Sequence, residues 1–432
     1  MSLGLVDRDD PRRDTIRDPR WPPTLIFLTG LVLAVLVRVP FLYERGLTGD
    51  LDQFVLWVHG IATHPFGHAY DMDISFPPVM VYIWGWLTTQ DPRFLTETTS
   101  ADVVIRLWMK FPATLFDLFL GYLVAMHLRA TPWWAVLGAF AIFFHPAVID
   151  VSAWWGQYES IYVFFGALAF VLAVRGHSLF AAVALAVALM TKPQALPFLV
   201  PFAAWFLARD GWRGAARVAA VGAATILVLW LPFLVAGGVQ NYLHTLSTYQ
   251  GDVYAILSLR AWNLWWLVQE LLAGGSLVSD QGAILGPLTL RHIGYGLALL
   301  GELAVFWLVF RARTPRALAY GLAAAVLVAF CFLTTMHERY AFGVLAFVLL
   351  AFPDRRAAWL AAVFGLVFTL NLLAAIPPSP AIGAALPVSG PLAIAGSITM
   401  LAILAALFSL LRRSAAEATV PIDTLGLRWG GP

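Results

Sequence analysis

The chain is 432 residues long, 60% hydrophobic and only 12% charged, with a formal net charge of +2 and a mean hydropathy of +0.79. A soluble domain so poor in charge would expose a largely apolar surface, so the composition excludes a water-soluble globular protein. No basic-aromatic patch points to nucleic acid, and the single cysteine, Cys331, excludes an internal disulfide and a cysteine-based metal cluster.

Residues 1–21 mix Arg and Asp and read as a cytoplasmic N-terminal arm. The apolar run over 25–39 lacks a small-residue cleavage site and reads as an uncleaved first span. Apolar runs of spanning length then recur to the end of the chain. They predict about twelve crossings, at 22–39, 111–128, 133–149, 158–174, 178–191, 195–208, 218–236, 290–310, 317–335, 341–352, 357–375 and 392–411. With a cytoplasmic N-terminus, Arg129, Arg175, Arg209/Arg213/Arg217, Arg311/Arg313/Arg316, Arg355/Arg356 and Arg412/Arg413 all fall inside, as the positive-inside rule requires. The run at 77–87 would reverse every later cluster if it crossed. It is also short, and reads as a re-entrant or interfacial helix on the outer side. The expected fold is therefore an all-α polytopic membrane protein. Its membrane domain covers 22–411, its long outer segments are 41–110 and 237–289, and a polar cytoplasmic tail covers 412–432. Neither an internal repeat nor paired interrupted helices appear, which argues against an inverted-repeat transporter.

The polar motifs gather at the outer helix ends. Asp50 and Asp52 follow the first span. A partly desolvated carboxylate there can take a proton from an attacking hydroxyl, although a solvated acidic loop would look the same. Asp71 and Asp73 form a second pair, and the two pairs offer oxygen ligands for a divalent metal without any spacing that demands one. Phe76-Pro77-Pro78 stiffens the chain before the short helix. Arg106 and Lys110 are cations on the wrong side for the orientation rule. They suit a phosphate, or pairing with Glu97 or Asp102. His145-Pro146 leads through Asp150 to Trp154-Trp155-Gly156-Gln157-Tyr158-Glu159-Ser160. Asp150, Gln157 and Glu159 suit sugar hydroxyls, and Trp154 or Trp155 suits a sugar face or an interfacial belt. The 18 tryptophans of the chain fit such a belt more generally. Glu159 needs water or a partner at the start of a span. Lys192 and Arg339 are donor-only groups suited to a phosphate at the membrane surface. Glu338 is a poor partner for Arg339 if the two are neighbours on a helix. Tyr249, Tyr254, Arg260, Trp262, Asn263, Trp265 and Trp266 stand on the second outer segment.

Taken in order, these motifs resemble the GT-C superfamily of membrane glycosyltransferases that use polyprenyl-phosphate sugars. The likeness is greatest to bacterial mannosyltransferases related to those of GPI-anchor synthesis, and to dolichyl-phosphate-glucose-dependent glucosyltransferases. It rests on Gly49-Asp50-x-Asp52, Phe76-Pro77-Pro78 in place of Tyr-Pro-Pro, His145-Pro146 through Asp150 in place of Asn-Pro, Gly156-Gln157-Tyr158-Glu159-Ser160, Lys192-x-Gln194 and His337-Glu338-Arg339-Tyr340. It covers residues from about 20 to 410; no single motif is specific, but the ordered set is. The resemblance implies an inverting transfer from a polyprenyl-phosphate donor to a glycan, lipid or protein hydroxyl, at the outer face of the cytoplasmic membrane. It implies Asp50 as catalytic base and His337, Arg339, Lys192 and Arg106 around the donor phosphate. Asp52, Asp73, Asp150, Gln157, Glu159, Gln194 and Tyr249 are expected to contact substrate. No cofactor or metal is required. Two other classes stay open: a lipid-linked sugar flippase, which needs polar residues at mid-membrane, and a surface-polysaccharide polymerase or ligase with a diphosphate-linked donor.

Overall fold

The computed structural model describes residues 21–249 and 255–417. The arm over 1–20, Tyr254 and the tail beyond 417 lie outside the described residues. A helix stands at every one of the expected crossings. Among the described residues, six helical spans are long and apolar enough to cross a bilayer alone: Pro22–Tyr43, Pro193–Phe233, Leu290–Ala312, Pro315–Phe332, Arg355–Ala375 and Pro391–Glu417. Pro132–Phe143 and Pro146–Trp155, bent by 47°, form a broken pair. Glu159–Val174 and Ser178–Leu189 are shorter apolar helices. The chain is an all-α polytopic membrane protein, with a bundle centred on the buried helices Pro315–Phe332 and Phe342–Leu349.

Pro193–Phe233 holds both crossings expected at 195–208 and 218–236. At 41 residues a straight helix would measure about 60 Å. Yet the residues just before its start and those near its end meet the same short helix, Pro78–Thr88. Val79 N donates to Met190 O (2.9 Å), and the Tyr82 hydroxyl donates to Leu229 O (3.1 Å). The chain turns back at Gly211, whose φ of 66° and ψ of −179° leave the helical region. The helix Pro391–Glu417 also corrects the expected tail, because Arg412 and Arg413 are still helical.

The segment at 77–87 forms the helix Pro78–Thr88. Its 11 residues rise about 16 Å, roughly half of a hydrocarbon core, so it cannot cross alone. Its entry and exit both return to the helix Thr48–Thr63. Phe76 packs on Trp57 (ring centroids 6.0 Å apart), and His59 Nδ1 lies 3.1 Å from Phe94 O. An aromatic core of Phe54, Trp57, Phe76, Trp84 and Tyr158 joins these pieces to the bundle. The tryptophans therefore divide. Trp84, Trp155, Trp262 and Trp266 are fully buried structural residues, while Trp133, Trp212, Trp307 and Trp359 face outward.

Ionisable groups are also present inside the bundle. Arg38, from the first span, donates through Nε to Asp117 Oδ2 (3.2 Å), and through Nη1 to Ala34 O (3.0 Å) and Phe143 O (2.7 Å). The Ser152 hydroxyl donates to the same carboxylate oxygen. Both side chains of the pair are 0% exposed. The pair is visible in the sequence only as two isolated charges 79 positions apart; packing of the first span against Val103–His127 brings them together.

Candidate active site

Asp50 lies in the first turn of Thr48–Thr63, where the helix N-terminus favours a carboxylate. The turn that delivers it is made by Gly46, not by the neighbouring Gly49. Gly46 has φ +60°, and a Cβ there would stand 2.3 Å from Trp154 O; Gly49 has open space around it. This close approach places the Trp155 indole at Asp50. Trp155 Nε1 donates to Asp50 Oδ2 at 3.2 Å, and Gln157 Nε2 donates to the same oxygen at 2.7 Å. Gly156, at φ +88°, ends the stretch Asp150–Trp155 and turns Gln157 toward Asp50.

Gln157 links this carboxylate to the cations. Its Oε1 accepts from Lys192 Nζ at 3.5 Å. Lys192 also pairs with Glu159 Oε1 at 2.5 Å and lies 5.4 Å from the centre of the Phe76 ring. Arg339 stacks on Trp155 (4.7 Å to the ring centre). Its Nη1 donates to Glu338 Oε1 at 3.2 Å, and its Nε stands 3.3 Å from Glu159 Oε1, close enough to pair but out of hydrogen-bond alignment. The Glu338–Arg339 pairing corrects the expectation that adjacent side chains would point apart. That geometry belongs to an α-helix. Here His337 is extended and Glu338–Ala341 is a 3₁₀ turn, so the neighbours converge. Glu159 is fully buried behind the two cations and orients them; its partners are the ones that a carboxylate at a span start requires.

These groups open onto one cavity of about 550 Å³. Asp50, Gln157, Lys192, Gln194, Tyr249, His337 and Arg339 line it, as do Gln53, Ser75, Phe76 and Tyr340. From the polar end the cavity continues between helices along Leu196, Val200, Ala298, Val326, Phe330 and Leu333, with Glu302 the lone acid on this apolar limb. Both Glu302 carboxyl oxygens lack a hydrogen-bond partner. Its isolation inside the run 290–310 was the signal that sequence reading passed over.

Five expected site residues lie elsewhere. Asp52 turns away to accept from Ser100 N (2.7 Å) and from the Ser100 hydroxyl, tying down the loop before Val103–His127. Asp73 is exposed and off the cavity. Asp150 is buried beside the site without lining it. Glu159 stands behind the cations. Arg106 donates through Nη1 to Ser100 O and Ala101 O, both at 2.7 Å, while Lys110 Nζ donates to Phe41 O (3.0 Å) and Glu44 O (2.7 Å). Both cations serve backbone carbonyls, and neither pairs with Glu97 or Asp102. Asp102 instead caps the following helix and pairs with Arg93. Trp154 and Trp155 do not line the cavity, nor does His145. With Asp50 and Asp52 facing different partners, and no three His, Cys, Asp or Glu side chains converging among the described residues, the acidic pairs do not form an oxygen-ligand cage.

The turn carrying His337 and Arg339 is held from the segment 237–289. Ser258 and Leu259 pair in parallel with Met336 and His337, and Thr335 N donates to Ile256 O at 3.1 Å. Fully buried Asp280 accepts from Arg291 (2.7 and 2.9 Å) and from the Thr334 hydroxyl (2.6 Å). Arg260 and Thr335 occupy the left-handed region at φ 63° and 62°, strain that non-glycine residues sustain only where the surroundings impose it. Burial, with Arg339 and Lys192 alongside, pushes the His337 imidazole well below its usual range. No local signal announces this bracket, because Thr334 and Asp280 are 54 positions apart.

No family model and no curated protein matches the chain. Solved structures similar to it include the following two. One is ArnT from Cupriavidus metallidurans bound to undecaprenyl phosphate: 15% identical, TM-score 0.46, with 91% of this chain and 77% of that chain covered. The other is the Archaeoglobus fulgidus oligosaccharyltransferase tethered to an acceptor peptide containing the NVT sequon: 14% identical, TM-score 0.41, with 92% of this chain covered and 56% of that one. The chain thus spans a little over half the length of the second.

Proposed function

We propose that this protein is an inverting glycosyltransferase that moves a sugar, mannose being the first candidate, from a polyprenyl-phosphate donor to a hydroxyl acceptor at the outer face of the cytoplasmic membrane. One observation carries the reading. A single cavity is lined by Asp50, Lys192 and Arg339 at its polar end and has an apolar limb leading away between helices. A phosphate near the two cations would leave its hydrocarbon chain an apolar path, and would present the anomeric carbon toward Asp50.

In this reading the acceptor hydroxyl oxygen attacks the anomeric carbon and its proton passes to Asp50. The bond from that carbon to the phosphate oxygen breaks, and the bonding pair leaves with polyprenyl phosphate. Lys192 and Arg339 stabilise the charge that collects there in a water-poor pocket. Trp155 and Gln157 hold Asp50 by one oxygen, Oδ2, which leaves Oδ1 to take the proton. Glu159 and Trp155 keep the cations from collapsing onto Asp50. A phosphate is a good leaving group, so no general acid is called for.

The test supplies the purified protein in lipid with a panel of radiolabelled polyprenyl-phosphate sugars, followed by product extraction. Transfer from at least one donor, lost in Arg339→Gln, is the expected result. The Gln variant also takes the arginine from Glu338 and leaves Glu159 with Lys192 alone, so its folding is checked alongside. Movement of a labelled lipid-linked sugar between leaflets without transfer would favour a flippase. Transfer only from diphosphate-linked donors would favour a polymerase or ligase.

A further inference from the structure

A second cavity lies at the end of the bundle opposite the site. Helices Arg355–Ala375 and Pro391–Glu417 leave an open groove of about 440 Å³ between them. Their site-side ends are identified by two contacts: Arg260 donates to Ala375 O (2.9 Å), and Trp262 Nε1 donates to Val388 O (3.2 Å). Arg356 and Arg413 therefore mark the far end, and both line the groove. Each helix gives one face to it. Arg356, Trp359 and Val363 recur at helical spacing, as do Ala402, Ala406 and Arg413.

The charges are poised for a ligand. Asp354, the nearest acid in sequence, is already engaged. It accepts from the Tyr320 hydroxyl (2.9 Å) and the Arg356 backbone N–H (2.9 Å), and pairs with Arg316 (3.8 Å). Neither the Arg356 nor the Arg413 side chain forms an ion pair with any carboxylate among the described residues. Trp359 is 74% exposed one turn in from Arg356, the depth at which indoles mark the headgroup boundary. From Arg413 to Ala402 the groove floor runs about 16 Å, close to the thickness of one hydrocarbon leaflet, and small side chains leave that floor open. A basic pocket between transmembrane helices at a membrane surface has the chemistry of an anionic headgroup site.

We infer that this groove binds an anionic glycerophospholipid from the leaflet opposite the active site. Its phosphate sits between the Arg356 and Arg413 guanidinium groups, and its acyl chains lie along Trp359, Val363 and the Ala402–Ala406 floor. Two planar forks suit phosphate oxygens, where one exposed arginine would give only a diffuse attraction. The occupant is independent of the reaction proposed above.

The experiment uses the full chain in detergent, with native mass spectrometry and thermal unfolding measured on addition of phosphatidylglycerol or phosphatidylcholine. The wild type should retain phosphatidylglycerol selectively and unfold at a higher temperature with it. Arg356→Gln/Arg413→Gln should bind it about tenfold more weakly or worse, while matching the wild type in phosphatidylcholine. Ala406→Trp, which fills the floor and keeps both charges, should lose binding as well. Equal retention of the two lipids by the wild type would overturn the inference. So would undiminished phosphatidylglycerol binding by the double variant. Crosslinking of Trp359→Cys chains to one another in phosphatidylglycerol nanodiscs would also overturn it, by assigning the face to a second copy.

Discussion

Asp50→Asn isolates the proposed chemistry with little structural disturbance. Asn keeps the size of Asp, and an amide oxygen can still accept from Trp155 Nε1 and Gln157 Nε2, the two donors on Asp50 Oδ2. Both hydrogen bonds weaken from charge-assisted to neutral. At about 1.5–3 against 0.5–1.5 kcal/mol each, matched end for end, the folded state loses about 2–3 kcal/mol. Asp50 is partly exposed, and solvent screening reduces that figure further. Loss of a general base lowers turnover by about 10²–10⁴-fold, or about 2.7–5.4 kcal/mol in the barrier. Donor capture belongs to Lys192 and Arg339, so donor binding should change far less than turnover. The assay measures single-turnover transfer from a labelled polyprenyl-phosphate sugar in nanodiscs, with retention of that donor by the protein measured separately. Turnover within about threefold of wild type, with donor still bound, would refute Asp50 as the base. Asp52→Asn is the matched control. Its partners are Ser100 N–H and hydroxyl, so it should lower thermal stability more than the chemical step.

Two further predictions address the bundle and its orientation. Arg38→Leu strands the buried Asp117 carboxylate and should destabilise the protein by about 3–5 kcal/mol, while Arg38→Leu/Asp117→Leu should recover most of that loss; thermal unfolding in detergent reads both, and a double variant worse than the single would show that the pair is not the coupled unit. In a Cys331→Ala background, cysteines at the exposed positions Asp73 and Gly282 should react with an impermeant thiol reagent in intact cells, and one at exposed Gly211 should not; labelling at Gly211 alone would invert the membrane orientation.

What the sequence determined by itself is the class of fold and the place of each spanning helix along the chain. Apolar runs and arginine clusters are local signals, each carried by some twenty consecutive residues, and a helix stands wherever such a run predicted one. The reversal at Gly211 was likewise legible, since three arginines interrupt the apolar pattern there. The motif residues Asp50, Gln157, Lys192, Gln194, His337 and Arg339 do meet in one cavity, although they come from distant parts of the chain. What the sequence left undecided was the direction of each side chain. Asp50 and Asp52 are two positions apart in the first turns of one helix, about 200° around its axis, so one faces the cavity and the other Ser100. Arg106 looked unpaired because its partners are backbone carbonyls, which no residue type announces. Gly46 was indistinguishable from Gly49 until Trp154 O lay against it. The Arg38–Asp117 pair, the Asp280 bracket and the groove between Arg356 and Arg413 all depend on which helices become neighbours. Tertiary packing decides that, because side chains far apart in the chain acquire a common environment only when the bundle closes around them.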